Sequence, residues 1–239
     1  NKVVLQRLNC TKNTAGSTGG GVIAMTGTEF AQVTFCLFHN NSAKGSGAVI
    51  IISDSQITEI NLCQFHSNTA LFHAGAMMAE NVQKVIISKS KFAQHHSGQN
   101  GGILHLNGVN LTQIYACQIS NNSANGDGGT LYFYGTKSSF KLLMVKIVSM
   151  KNIAKQRGGA IKIFQVMILV FLSNKFLENL ANQREGGTLH LASVNSVVFY
   201  ETNFVLGKAD QSQGGALFVT TADNIRFVKC SFVSSTAAQ

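Results

Sequence analysis

The chain has 239 residues, 45% of them apolar, which is enough for a sizeable core; only 12% are charged, about half the usual share, and that excludes the charge-rich composition of a disordered chain. Net charge is +9 with a pI near 9.5, a balance that points to acidic partners, but no Arg–aromatic RNA-binding motif accompanies it and nucleic acid is not expected. Proline is absent; it cannot donate to a β-ladder, so its absence suits a chain made mostly of paired strands.

Taken from the N-terminus, the chain repeats itself. An anchor column of apolar residues reads Cys10, Phe38, Phe65, Phe92, Ile119, Ile147, Phe176, Phe204 and Phe232, at steps of 27 to 29 residues. Five residues before each anchor stand Leu5, Val33, Ile60, Ile87, Ile114, Leu142, Phe171, Phe199 and Phe227. Three after it come Asn13, Asn41, Asn68, His95, Asn122, Met150, Asn179, Gly207 and Ser235, and five after it a column that is mostly alanine, with Ser97 and Asn152 as exceptions. Between anchors lies a glycine column: Gly21, Gly47, Gly75, Gly102, Gly129, Gly159, Gly187 and Gly215. Apolar residues two and four positions beyond each glycine give the period of a strand with one buried face.

Short strands with Gly and Asn punctuation and no helical pattern predict an all-β fold. The reading is a single right-handed parallel β-helix of about nine rungs, one domain over residues 1–239. Rungs stacked about 4.8 Å apart make a rod roughly 40 Å long. Stacking turns each column into a ladder: phenylalanine on phenylalanine, and asparagine amides bonded up the stack at a left-handed corner. The longest apolar run, residues 163–172, is too short to cross a bilayer and reads as buried strand, so no transmembrane segment is expected in this chain. The chain begins and stops inside a repeat, without a signal-peptide pattern, and is read as a segment of a longer protein.

The alternation of GGAI (Gly158 to Ile161) with FxxN (Phe38 to Asn41, Phe65 to Asn68, Phe176 to Asn179) resembles the repeats of the chlamydial polymorphic membrane proteins, along essentially the whole chain. The resemblance implies a pectin-lyase-like β-helix and an adhesin at a cell surface. His95, Met150, Gly207 and Ser235 depart from the Asn column, and no membrane-embedded barrel accompanies the repeats.

Candidate sites follow from the columns. Cys36, Cys63 and Cys117 share one inward ladder with Cys230, which leaves two readings: a Cys36–Cys63 bridge between neighbouring rungs in an oxidising compartment, or buried thiols serving as small apolar residues. His39 and His66 stack one past the anchor, with His95 and His96 near the same edge; a metal strip there is set against outward polar turn residues, and no metal or cofactor is expected. Glu29, Asp54 and Glu80 follow the glycine strand on three successive rungs, either an acidic edge or solvated loop acids. No cluster of acids with Arg or Lys is legible, so catalysis of the pectin-lyase type is the alternative rather than the expectation. Residues 128–175 contain no acid but hold Lys137, Lys141, Lys146, Lys151, Lys155, Arg157 and Lys162. They coincide with the longest glycine spacing, 30 residues, and read as a lengthened loop bearing a patch for an anionic glycan or acidic protein, or else as a solvated face. Asn9, Asn40, Asn110 and Asn121 head N-glycosylation sequons. The expected function is a non-enzymatic extracellular or cell-surface recognition rod. End-to-end or lateral assembly with other chains is expected too, because open strand edges invite pairing.

Overall fold

The computed structural model describes residues 1–17, 19–135 and 140–238. All of its strands pair in parallel, each with its equivalent on the next rung, and they stack into a β-solenoid of about nine turns. A typical rung runs through Ile57–Asn61, Gln64–His66, Thr69–Ala70 and Met77–Glu80. The three-residue and two-residue strands each build a sheet of nine strands. The other two kinds merge, because Ile161–Leu172 and Leu189–Tyr200 run straight through the corner that elsewhere separates them, giving a sheet of 15 strands. Among the described residues, no helix is long and apolar enough to cross a membrane.

The interior is made of ladders. Phe38, Phe65 and Phe92 are buried and stack with ring centroids 4.8 Å apart. A second aromatic stack, Phe171–Phe199–Phe227, rises beside Phe176–Phe204–Phe232 and meets it edge to face, with Phe171 and Phe176 6.3 Å apart. Burying each ring contributes about 1.5–3 kcal/mol, and each ring pair adds about 0.5–1.5.

The asparagine ladder runs as predicted in kind. Asn41 Nδ2 donates to Asn68 Oδ1 at 2.9 Å, and the Asn41 backbone N–H donates to the same oxygen at 2.8 Å. The left-handed residue, however, is the one before each ladder asparagine: Asn40 (φ 54°), Ser67 (52°), Asn121 (55°) and Lys151 (53°). That turn aims the following side chain inward, where its amide is shielded from water.

Two columns differ from the sequence reading. After Ile119 the anchor position is taken by Ser149, not Ile147, and Met144 replaces Leu142 in the column before it. The register follows the amides. Asn152 accepts from Asn122 Nδ2 and donates to Asn179 Oδ1, both at 2.9 Å, and Ala154 falls in the alanine column. The reading with Met150 in the ladder would leave Asn122 without its acceptor and put an asparagine where only a small side chain fits. Ile147 instead fills the column of Cys117, its N–H donating to Asn174 Oδ1. The three extra residues of this rung lie before Lys141, which pairs with Leu111 thirty positions earlier.

The second correction is a one-residue slip. Ile23, Ile50 and Met77 share a column, so Ala48, not Gly47, stands in the predicted glycine column. A shift of one residue exchanges the faces of a strand, and Ile50 and Ile52 are the buried pair there. The paired glycines do different work. Gly158 takes φ 61° and a Cβ there would also meet the carbonyl of Ile161, whereas Gly159 rejects a Cβ by collision alone, chiefly with the carbonyl of Gly187 on the next rung.

Candidate functional site: a cleft on the flank of the rod

Most of the predicted site residues belong to the scaffold. All five cysteines are free. Cys36, Cys63 and Cys117 are buried, and burial pushes the Cys63 and Cys117 thiols up to about 11. Each points its Sγ at the carbonyl two residues back, Cys63 at Asn61 O (3.3 Å) and Cys117 at Tyr115 O (3.2 Å). Ser90 Oγ and Thr202 Oγ1 make the same contact in the same column; Ile147 and Asn174 fill it without that contact, so the column selects for fit inside the rod rather than for a thiol.

The histidines divide. His39 and His66 stack outward with centroids 5.0 Å apart. His95 turns inward, fully enclosed, and takes the place of a ladder asparagine: its Nδ1 accepts the Asn68 N–H at 3.1 Å, and burial pushes it down to about 3. His96 lies in another column, bonded to Ser123 Oγ. Glu29, Asp54 and Glu80 do not form an edge. Asp54 stacks on Asn81 and bonds its Nδ2, Glu80 pairs in register with Ser53 and Asn107, and Glu29 meets the N-terminal ammonium at 3.0 Å.

The lysines likewise fail to meet. Lys137 lies outside the described residues. Lys141, Lys146, Lys151 and Lys155 are exposed at different corners of the rod; Lys151 pairs with Glu178 at 3.7 Å, and Lys155 borders a polar groove with Asn182 and Asp210. The sequon residues Asn9, Asn40, Asn110 and Asn121 are all exposed.

Arg157 and Lys162 are different. The outward column of the glycine-led strand reads His105, Tyr132, Lys162, His190 and Phe218 on five successive rungs. The turns leading into these strands carry Asp127, Arg157 and Glu185 across the strand face. Arg157 lies between the two acids, 3.6 Å from Asp127 Oδ2 and 3.4 Å from Glu185 Oε2, and its backbone N–H donates to Asp127 Oδ1 at 3.0 Å. Beneath them Lys162 is 4% exposed and His190 3%. The Lys162 ammonium donates to His190 Nδ1.

A cleft of about 470 Å³ opens over this floor. Tyr134 and Phe164 form one wall, stacked at 5.4 Å with 17° between their planes, and Phe218 packs on the His190 ring. Burial pulls Lys162 down to about 8, against the pull of Asp127, which raises it. Burial also lowers His190 to about 3, helped by the Lys162 and Arg157 cations. At neutral pH the lysine is therefore charged and the histidine neutral, as the hydrogen bond requires. The Tyr132 hydroxyl is raised by burial and by Asp127.

The sequence reading expected no acids clustered with Arg or Lys; the fold assembles one such cluster. Its members lie far apart in sequence and stand on the chain among residues that read as loop or strand. The signal was present in the column three positions after the glycines, which holds Ala24 and Ile51 on early rungs and polar or aromatic residues on the later ones.

Comparison with known proteins gives no match: no family model matches the chain, and neither does a curated protein or a solved structure.

Proposed function

We propose that the chain is a non-enzymatic recognition rod, secreted or displayed at a cell surface, that supports adhesion to a protein or glycan. The observation that carries this reading is the flank cleft. It breaks the repeat on an outward face, where the scaffold needs no buried cation and no aromatic wall. Small-molecule and glycan sites share that build: a concave apolar surface with a few placed polar groups. The similarity of the repeats to those of the polymorphic membrane proteins adds support, as do the exposed sequon asparagines. Its test is saturable binding of the labelled chain to intact cells and to an immobilised glycan panel; absence of binding on both overturns it.

Two observations favour other readings. The cluster of Asp127, Arg157, Lys162 and Glu185 favours a pectin-lyase-type enzyme acting on acidic polysaccharides. Against it, both acids are held by Arg157 and His190 is a weak base, so the acid–base groups are already engaged. Product release from a polysaccharide panel would put this reading first. Phe35, Leu37 and Leu62 are exposed on neighbouring rungs, which favours lateral assembly as a structural subunit; sedimentation at rising concentration separates that case from a monomeric adhesin.

A further inference from the structure

Lys162 is a buried cation short of hydrogen-bond partners; its ammonium lies 6.0 Å from the centre of the Phe164 ring, a contact that uses no N–H. An ammonium has three donors, and His190 Nδ1 takes one. Among the described residues, no carboxylate lies within 4.0 Å of it; Asp127 and Glu185 are turned to Arg157 instead. A buried charge whose hydrogen bonds are unmet is costly, and the cost falls when an anion meets it. The spare donors face the cleft rather than the interior, since Lys162 stands on an outward column.

The charges also limit what fits. Arg157 and Lys162 balance Asp127 and Glu185, with His190 neutral. One negative charge beside Lys162 is tolerated, while a dianion or a run of anions meets Asp127 and Glu185 as well. The walls specify the rest of the ligand. Tyr134 and Phe164 offer a flat apolar face, and the Tyr132 hydroxyl with Glu185 Oε1, the oxygen that Arg157 leaves free, offers partners for hydroxyl groups.

We propose that the cleft binds a single carboxylated sugar residue, its carboxylate received by the Lys162 ammonium and its ring lying against the Tyr134–Phe164 wall. The proposal rests on the recognition reading above and names its ligand. The volume, about 470 Å³, suits a small ligand and not a long chain threaded through.

The test is a titration of the intact 239-residue chain with four probes: glucuronate, N-acetylneuraminyl-lactose, glucose and 4-hydroxybenzoate. At least one acidic sugar is expected to bind, with glucose weaker. Lys162→Met keeps an unbranched side chain, one atom shorter, and removes the charge; it is expected to cut acidic-sugar affinity by at least about tenfold and leave glucose unchanged. Tyr134→Leu is expected to weaken both. Lys146→Gln, on a distant corner, is expected to change neither. The wild-type chain supplies a second reading that needs no variant: the Lys162 side-chain NMR signal titrates near pH 8 alone and at higher pH with the acidic sugar bound. Equal acidic-sugar affinity in wild type and Lys162→Met, tighter binding of 4-hydroxybenzoate than of any sugar acid, or no binding of any probe overturns the proposal. If cells bind Lys162→Met as well as wild type, the rod remains a recognition module and this ligand assignment falls. If glucuronate binds but no cell surface does, the adhesion reading falls and the cleft stands.

Discussion

The asparagine corner and the flank cleft are both built from columns of residues stacked rung on rung, and they behave in opposite ways. Along the corner, Asn41, Asn68, Asn122, Asn152 and Asn179 repeat one bond pattern, and nearly every polar atom is met by the rung above or below. On the cleft floor, Tyr132, Lys162, His190 and Phe218 share a column and no pattern, and Lys162 keeps donors to spare. Repetition with satisfied polar groups marks scaffold; the broken column with an unmet charge is where we propose that a ligand binds. His95 falls between the two. It occupies a ladder position, accepts the Asn68 N–H as an asparagine would, and leaves Nε2 buried without a partner.

That contrast is open to attack on four fronts. The largest effect belongs to the core. Phe65→Ala removes a ring stacked on both sides and is expected to cost about 3–5 kcal/mol in denaturant unfolding; a loss below about 1 would mean that the ring stack does not carry the interior. Acid comes next. His95 is held at about 3, below its ordinary 6.5, so the folded chain refuses a proton that the unfolded chain accepts. Stability is full above pH 6.5 and falls as the pH drops toward 3, by on the order of 4 kcal/mol from this group. His105 and His190, lowered to about 3 as well, act in the same direction. Unfolding midpoints that stay level from pH 6.5 to 4 would contradict this.

Asn152→Ala tests the register. It strands the Asn122 amide and is expected to cost about 1–3 kcal/mol, whereas Met150→Ala is expected to stay within about 0.5. The reverse order would restore the sequence-based alignment of that rung. The smallest effect is a gain. His95→Asn completes the ladder from Asn68 to Asn122 and is expected to add about 1 kcal/mol at neutral pH. It is also expected to remove the His95 share of the acid dependence and leave that of His105 and His190, which comparison of its pH profile with that of the parent chain measures directly.

Much of the fold was legible because identical columns repeat: Phe38, Phe65 and Phe92, or Asn41 and Asn68, recur at a near-constant step. Legibility failed where that step changed. The rung from Ile119 to Ser149 is longer by three residues, and the pairing of Lys141 with Leu111 and of Asn152 with Asn122 shows where the extra length sits. Gly47 misled for a local reason: the neighbouring Ala48 fits the close-packed position, so the residue that looked like the marker was one place early. The cleft was harder to read. Lys162 was noticed as one of a run of cations, but its neighbours Asp127, Glu185 and His190 lie one rung away, and proximity in a solenoid follows the stacking rather than the chain. The spread of Lys141, Lys146, Lys151 and Lys155 to separate corners has the same origin.

The central claim is that the ladder holds the rod together while the cleft recognises. It is tested most directly by measuring the unfolding midpoint and cell-surface binding side by side for Asn152→Ala and Lys162→Met. The account predicts that Asn152→Ala loses stability and keeps binding where still folded, while Lys162→Met keeps its stability or gains a little and loses binding. Binding that survives in Lys162→Met, or disappears in folded Asn152→Ala, would contradict it.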